Sequence, residues 1–170
     1  MFHVSDEGPI AVMRPRPSPA GTPHAGTEWV WAVDEEHLPH YLLPRQCPRV
    51  CWATASAGRH HLLGSPAARV IAIEHRWAPE LTHARLDVHR LDPHGFTLLD
   101  AIAGYWVCAH DVRVHQVRRV EDCFAALAEY DVEVRLTASL WPYLDAVVAN
   151  TGDFSAIRMR NAQPRGSDDG

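Results

Sequence analysis

The segment YLLPRQCPRV, residues 41–50, is the part of the sequence that does most to decide the fold. Pro44 and Pro48 fix φ at their own positions and bias the preceding residue toward extended backbone, so the segment is not a helix. Arg45 and Arg49 are therefore carried on a stiffened turn that leads into an apolar strand. A guanidinium group beside a core needs a partner, and phosphate or carboxylate fits it best. The segment predicts an anion clamp.

An internal ion pair is the competing interpretation of these two arginines. Asp34, Glu35 and Glu36 lie a short distance upstream in the chain. Their carboxylates could neutralise Arg45 and Arg49 without any ligand. The sequence leaves both interpretations open.

The length and net charge of the chain limit the classes of protein to which it can belong. The chain has 170 residues, 46% of them hydrophobic, and a formal net charge of −5. This predicts one globular domain over residues 1–162 and a disordered polar tail at 163–170. The acidic balance argues against a surface that coats nucleic acid. No apolar run approaches the roughly 20 residues that cross a bilayer, and the N-terminus lacks a secretory pattern, so we expect a cytoplasmic protein without a membrane partner.

The numbers and positions of arginine, histidine and cysteine restrict the kinds of catalytic and metal site that the chain can form. All 16 basic residues are arginine, which excludes a Schiff-base lysine and a P-loop lysine. Cysteines stand at 47, 51, 108 and 123, and we expect reduced, structural thiols. Cys47 and Cys51 followed by His60-His61 fit no standard zinc spacing, so no metal site is predicted. The 12 histidines nevertheless leave a metal-dependent enzyme open as an alternative.

Periodicity and turn residues predict an α+β chain. No glycine-rich phosphate loop is present, which argues against a doubly wound nucleotide fold. Arg14 and Arg16 lie in a proline-rich loop and are expected to be solvated, and a bulge is expected near His115-Gln116. Strands are predicted at 2–5, 29–33, 50–54, 68–75, 84–91, 104–107, 112–120, 132–137 and 154–160, and helices at 35–43, 121–130 and 140–150.

Strand alternation assigns the aromatic residues to faces. Trp29 and Trp31 share one face of their predicted strand, whereas Tyr105 and Trp106 point to opposite faces of theirs. At most one of the latter pair can therefore join the two tryptophans. Because aromatic rings supply much of a small domain's buried area, the tryptophans are interpreted first as core anchors, and one wall of a cleft is the alternative.

Several segments together resemble an uncharacterised small bacterial domain family. The resemblance covers nearly the whole chain, and since that family has no assigned activity it implies no function. Gln46 stands where relatives often carry Asp, which leaves the arginine pair less neutralised from within. The segments are FHVS at 2–5, VWAVD at 30–34, LPRQCPRV at 43–50, GYWV at 104–107 and FSAIRMRNA at 154–162.

A more distant resemblance is to the ADP-ribosyltransferase fold. It is carried by an opening strand with His3, by Val30-Trp31-Ala32 before a short helix, and by Tyr105-Trp106-Val107 before Val112-Arg113-Val114. The resemblance implies two small mixed or antiparallel β-sheets that clasp NAD. It also implies a histidine that holds a ribose, matched by His3, and an aromatic that stacks on nicotinamide, matched by Trp31.

The third position of that family's pattern departs from it. Relatives usually place a glutamate there to steady the oxocarbenium ion, but this chain has Tyr105. A phenol carries no charge at neutral pH, and Asp100 is the nearest acid upstream. The transferase interpretation thus lacks its main electrostatic contribution. Some members of the fold grip a phosphate with arginines instead, a role that Arg45 and Arg49 would suit.

The sequence therefore predicts a protein that binds a nucleotide or NAD-type phosphorylated ligand. If it is an enzyme, the reaction is ADP-ribosyl transfer or hydrolysis of an N-glycosidic bond, with NAD or a nucleotide as substrate and no permanently bound cofactor. The main alternative is a non-catalytic binding or interaction module that has lost the acid. The predicted roles are a hydroxyl contact from His3 with Ser5 beside it, stacking on Trp31, phosphate binding by Arg45 and Arg49, and a place near the reacting carbon for Tyr105 or Asp100.

Overall fold

The computed structural model of this chain describes residues 1–18, 24–57 and 60–166. Within them it contains two β-sheets and three α-helices, which confirms the predicted α+β class with two sheets and about three helices. No helix in these ranges is long and apolar enough to cross a membrane. The chain divides into two compact units. Unit one comprises Met1–Tyr41 and Arg85–Val120, and unit two comprises Leu42–Ala84 and Glu121–Gly170.

The elements are numbered in chain order across both units. The strands are β1 Phe2–Ser5, β2 Val12–Met13, β3 Arg16–Pro17, β4 Glu28–Val33, β5 Arg49–Ala53, β6 Arg69–Glu74, β7 Leu86–Leu91, β8 Thr97–Asp100, β9 Tyr105–Cys108, β10 Val112–Val120, β11 Val132–Thr137 and β12 Phe154–Ile157. The α-helices are α1 Ala78–Leu81, α2 Cys123–Ala128 and α3 Trp141–Asn150, and single 3-10 turns span Leu38–Tyr41, Thr54–Ser56, His75–Trp77 and Met159–Asn161.

Unit one is built on an eight-stranded antiparallel sheet. Its order is β2-β10-β7-β1-β4-β9-β8, and β3 pairs with β4 outside this path. The register of β10 against β7 shifts between Val114 and Gln116. The bulge predicted near His115-Gln116 is therefore confirmed, and such an extra residue bends the strand locally.

The central strands of this sheet carry different side chains on their two sides. Successive strand residues point to opposite faces, and directly paired residues on neighbouring strands point to the same face. We call the side that carries Trp29 and Trp31 the tryptophan face. The side that carries Val30, Ala32 and His3 is called the histidine face.

A hydrophobic core packs on the histidine face of unit one. Trp106 pairs with Ala32 and packs against this core, whereas Tyr105 pairs with Val33 on the other side. Tyr105 is therefore the aromatic residue of β9 that joins the tryptophans, as strand alternation predicts. The buried members of the core are Met13, Val30, Ala32, Leu91, Cys108 and Val112.

Unit two combines a four-stranded sheet with the three helices. The strand order is β11-β6-β5-β12, with β11 parallel to β6 and the other pairs antiparallel. Trp52 is fully buried at its centre, and its indole Nε1 donates to the carbonyl oxygen of Leu63 at 2.9 Å. The other buried members of this core are Val50, Ala57, Leu63, Val70, Ala72, Leu140, Ala146 and Val147.

Several predicted elements are shorter than expected, and for two of them the backbone shows the cause. The helix predicted at 35–43 is a single 3-10 turn at Leu38–Tyr41, because Pro39 has no N–H to continue a helical ladder. The strand predicted at 154–160 ends at Ile157, because Arg158 adopts the left-handed conformation with φ 56° and ψ 30°. Arg158 thereby turns the backbone out of the sheet into the last 3-10 turn.

The start of the polar C-terminal segment makes defined contacts in unit two. The backbone N–H of Gln163 donates to Glu74 Oε1 at 2.6 Å, and its carbonyl accepts from Trp141 Nε1 at 2.8 Å. Arg165 pairs with Asp145 at 2.8 Å. Disorder is predicted from residue 163, yet the chain is held as far as Arg165. Residues 167–170 lie outside the described ranges.

Candidate functional site

His3 and Ser5 lie on the histidine face of unit one, two residues apart on the central strand β1. The Nδ1 atom of His3 lies 2.8 Å from the carbonyl oxygen of Trp31, so that nitrogen carries the proton and donates. Ser5 is 7% exposed, and its Oγ has no hydrogen-bond partner among the described residues. A buried hydroxyl without a partner costs about 1–3 kcal/mol, which makes Ser5 a place where a ligand atom would be favourable.

Strand β7 brings further polar groups opposite these two residues. His89 pairs with His3, and Asp87 pairs with Ser5. Asp87 is buried, and it accepts two hydrogen bonds from Arg119, at 2.7 Å from Nε and 3.0 Å from Nη2. This bidentate pairing neutralises the carboxylate inside the sheet.

Hydrogen bonds determine the tautomer of His89. Its Nε2 accepts from the backbone N–H of Ile10 at 3.1 Å, and its Nδ1 lies 3.3 Å from the carbonyl oxygen of His3. An acceptor Nε2 and a donor Nδ1 describe a neutral imidazole. His89 is completely buried, so it ties β1 to the following loop rather than facing a ligand.

The tryptophan face carries a cluster of aromatic rings. The centroid of the Trp31 ring lies 5.8 Å from that of Trp29 and 5.7 Å from that of Tyr105, in edge-to-face geometry. Tyr41 lies 6.1 Å from Tyr105, and His24 lies 5.4 Å from Trp29. All five side chains are half-buried, so the cluster retains exposed ring surface. Such a surface can stack on a planar ligand.

The indole nitrogen of Trp31 is an unsatisfied polar atom within this ring cluster. Nε1 is buried and makes no hydrogen bond with any residue in the described ranges. Buried Trp N–H groups usually find an acceptor. The donor of Trp31 therefore marks a position where an acceptor atom of a ligand would recover a hydrogen bond.

The structure separates two pairs of predicted site residues. Because Phe2 pairs with Val33, His3 and Trp31 are on opposite faces although their strands are neighbours. The contact of the His3 ring with Trp31 is made to the backbone carbonyl oxygen. His3 and Ser5 therefore share one face, and Trp31 and Tyr105 share the other.

Asp100 lies opposite Tyr105 on the neighbouring strand β8. Its carboxylate is exposed, and Oδ1 accepts from the backbone N–H groups of Ile102 at 2.9 Å and Ala103 at 3.0 Å. Tyr105 and Asp100, each a candidate for the place near the reacting carbon, are thus cross-strand neighbours. One carboxylate oxygen, however, is used to hold the turn into β9.

Arg45 and Arg49 belong to unit two. Arg49 is 2% exposed, and its Nη1 donates to the carbonyl oxygens of Cys47 at 2.9 Å and Pro44 at 3.3 Å. Arg45 is exposed, and its carbonyl oxygen accepts from Arg158 Nε at 3.3 Å. Arg49 therefore closes the proline-braced turn from inside, while Arg45 presents its side chain on the surface.

An aspartate–histidine pair lies where the chain leaves β4. Asp34 Oδ1 accepts from the backbone N–H of His37 at 2.9 Å and also lies 2.7 Å from His37 Nδ1. From the sequence, Asp34 is predicted only as an ion-pair partner, and His37 is not predicted as a site residue. The Asp-x-x-His spacing of an N-cap was the available signal, because it places the third residue's side chain over the cap.

Burial keeps the cysteines of unit two protonated. It raises the pKa of the Cys47 and Cys51 thiols to about 12 and that of Cys123 to about 11. All four cysteines are unpaired and buried, as expected for structural thiols. In the described ranges no group of three or more His, Cys, Asp or Glu side chains is arranged to hold a metal ion.

Comparison with known proteins yields one family. A model described as "Family of unknown function (DUF6886)" matches residues 2–162. No curated protein and no solved structure matches the chain. The match confirms the predicted resemblance to an uncharacterised family. The chain belongs to the family of unknown function DUF6886.

Proposed function

We propose that this protein binds a nucleotide or an NAD-type dinucleotide, with the base on the tryptophan face of unit one. The observation that carries the proposal is the buried Nε1 donor of Trp31 inside a half-exposed ring cluster. A heteroaromatic base supplies both a flat surface for stacking and acceptor atoms for that donor. An aliphatic ligand supplies neither.

Charge beside the ring cluster supports a phosphorylated ligand. Arg16 pairs in register with Trp29, and its guanidinium is 66% exposed. Its Nη1 contacts the exposed Glu7 carboxylate at 3.1 Å. An exposed ion pair of this kind contributes about 0–1 kcal/mol, so a doubly charged phosphate could replace Glu7 at little cost.

The resemblance to the ADP-ribosyltransferase fold supports NAD as the ligand to test first. The reaction would be transfer or hydrolysis at the bond between nicotinamide and ribose. In this proposal Trp31 stacks on nicotinamide, and Tyr105 with Asp100 lies near the reacting carbon. His3 and Ser5 lie on the opposite, histidine face, so this proposal gives them no contact with a base on the tryptophan face.

Arg45 is the proposed phosphate ligand of unit two. Arg49 donates hydrogen bonds to the carbonyl oxygens of Pro44 and Cys47, and so stabilises the turn that carries Arg45. In the predicted anion clamp, Arg45 would thus contact the phosphate and Arg49 would hold the turn in place. Inorganic phosphate is the probe for this part of the proposal.

Ligand titration tests the proposal. Tryptophan fluorescence and the melting temperature are recorded with NAD, ADP-ribose, AMP, nicotinamide and phosphate. Trp31→Phe keeps a ring but removes the Nε1 donor, and it should weaken binding about tenfold. Trp29→Phe makes the same substitution on the same face without removing that donor. It should leave the affinity within about twofold of that of the unaltered protein.

Two results would contradict the proposal. Absence of any change with NAD, ADP-ribose and AMP up to about 1 mM would remove the nucleotide site. Equal losses in Trp31→Phe and Trp29→Phe would show that the Nε1 donor is not the recognition element. For unit two, Arg45→Ala should abolish a phosphate-induced shift that Arg160→Ala, another exposed arginine, retains.

A non-catalytic binding module is the second candidate. It is favoured by the absence of a carboxylate at Tyr105 and by the use of Asp100 Oδ1 in the turn. Nicotinamide release from NAD, measured by chromatography, separates the candidates. Binding without release supports the module, and release supports the enzyme.

A further inference from the structure

We infer that Asp34 and His37 form a proton-transfer dyad in which His37 is the general base. The inference rests on the proposed function, since the reaction it serves is glycosyl transfer or hydrolysis at the tryptophan face. In it His37 Nε2 accepts the proton of the attacking hydroxyl group, which belongs to water or to an acceptor alcohol. Asp34 is the positioning residue.

The hydrogen bond between the two side chains defines the protonation pattern. His37 Nδ1 lies 2.7 Å from Asp34 Oδ1, and a carboxylate oxygen can only accept in such a contact. Nδ1 therefore carries the proton, which leaves Nε2 with its lone pair. No hydrogen bond to Nε2 is found within the described part of the chain. A nitrogen in this state is ready to take a proton.

A cap alone does not explain this geometry. The backbone N–H of His37, at 2.9 Å from the same oxygen, already satisfies the capping function of Asp34. The ring adds a second, shorter bond and is 7% exposed. Asp34 thus orients the imidazole, the arrangement that general-base histidines use in hydrolases and transferases.

Gly104 fixes the position of the imidazole ring. It has φ +65°, and a Cβ atom built there would lie 2.3 Å from His37 Nδ1. Its carbonyl oxygen also accepts from the backbone N–H of Asp34 at 3.2 Å. The turn before β9 therefore packs directly on the ring and prevents it from rotating.

The dyad adjoins the ring cluster through that turn. Gly104 immediately precedes Tyr105, whose ring contacts Trp31 at 5.7 Å. Tyr41 ends the 3-10 turn that follows His37, and its ring lies 6.1 Å from that of Tyr105. A nucleotide base on the tryptophan face would therefore have a general base at the same end of β4.

In the proposed step one bond to the anomeric carbon breaks and another forms. The bond between the anomeric carbon and the nicotinamide nitrogen of NAD breaks, and both electrons leave with nicotinamide, which becomes neutral. A bond forms between the anomeric carbon and the attacking oxygen. The proton of that oxygen passes to His37 Nε2, giving an imidazolium ion next to the Asp34 carboxylate, and is then lost to solvent. Tyr105 leaves the site without a strong base of its own, so the dyad supplies the missing function.

His37→Asn is the central variant. The asparagine amide can donate to Asp34 from a position close to that of Nδ1, but it has no atom in place of Nε2. We expect nicotinamide release to fall about 10²–10⁴-fold in kcat, the usual contribution of a general base, with KM for NAD nearly unchanged. His94→Asn, an exposed histidine of the same unit, is the matched control and should keep full activity.

Chemical rescue and NMR provide readouts that a structural role would not produce. Added imidazole should restore part of the release lost in His37→Ala. The 15N spectrum of the unaltered protein should show His37 protonated at Nδ1 and unprotonated at Nε2.

Several results would overturn the inference, and they are distinct from failure of the proposed function. Binding of NAD without any nicotinamide release would overturn the dyad while the binding site stands. Full kcat in His37→Asn, absence of imidazole rescue, or the opposite tautomer would also overturn it. If neither NAD nor AMP binds, both the proposed nucleotide site on the tryptophan face and the proposed dyad are wrong.

Discussion

Trp31 in unit one and Trp52 in unit two are the same residue type in strands of similar length, yet their surroundings differ. Trp52 is fully buried, its Nε1 bonds to Leu63, and its ring stacks on Tyr143 at 5.8 Å. Trp31 is half-buried, and its Nε1 has no partner in the described ranges. The comparison teaches that ring count alone does not mark a site. The proposed site rests instead on the unsatisfied Nε1 of Trp31 within a half-exposed cluster.

The largest effect should come from removing the core tryptophan. Trp52→Ala should destabilise the protein by about 3–5 kcal/mol, because it opens a cavity in the core of unit two. Trp31→Ala should cost roughly half of that, since its ring is only half-buried. Urea unfolding of both variants measures the difference. Equal losses of unfolding free energy in the two variants would show that Trp31 is a core anchor like Trp52.

The next effect concerns the turn that supports the Trp31 cluster. Gly104→Ala should destabilise by about 2–4 kcal/mol, because φ +65° disfavours a side chain and its Cβ would overlap the His37 ring. Gly64→Ala, with no atom within 4 Å of the added Cβ, is the control and should change the stability by less than about 0.5 kcal/mol. A tolerated Gly104→Ala would show that the His37 ring is not held by this turn.

The thiols of unit two should give an alkaline effect. Because burial raises the pKa of Cys51 from 9.0 to about 12, the folded state favours the protonated thiol. The stabilisation is complete below pH 9 and is lost as the pH rises from 9 toward 12. The melting temperature should therefore fall more steeply above pH 9 in the unaltered protein than in Cys51→Ala. If the melting temperatures of the two proteins fell equally steeply above pH 9, the Cys51 thiol would not have the raised pKa.

The smallest effect on stability should appear at acidic pH and involves Glu133, whose partner Arg135 lies beside Trp52. Hydrogen bonds from Arg135 and Ser65 lower the pKa of Glu133 below 4.5, and the Arg135 guanidinium lies 5.5 Å from the Trp52 ring. This contribution is present above pH 4.5 and is lost as the pH falls through the lowered value. Glu133→Gln should be less stable than the unaltered protein at pH 7, and the gap should close as the pH falls through the lowered pKa of Glu133. A constant gap would contradict this linkage.

Particular elements show how far sequence reasoning extends. Strands 112–120 and 132–137 form with the predicted bounds, because alternating β-branched residues carry a strong local signal. The alternation that puts Trp29 and Trp31 on one face also predicts that at most one of Tyr105 and Trp106 joins them, and the strand pairing selects Tyr105. Strand β8, by contrast, is missed, since Thr97–Asp100 acquires its strand geometry from pairing with β9.

The candidate site was less predictable than the strands. His3 and Trp31 are assigned to one ligand by resemblance, but the pairing of Phe2 with Val33 puts their side chains on opposite faces. A shift of register by one residue would have reversed that result. The Asp-x-x-His spacing of Asp34 and His37 does not by itself distinguish a dyad from a cap, because a cap and an oriented base have the same spacing.

The sequence by itself determined the α+β class, the stiff proline-braced turn and the alternation of aromatic residues, because these depend on backbone restrictions and periods that act within a few residues. Only the tertiary structure decided which faces meet and which donors remain unsatisfied. Register, burial and close approaches such as that of Gly104 to His37 join residues far apart in the chain. Their free energies depend on distances of tenths of an ångström that no local preference specifies.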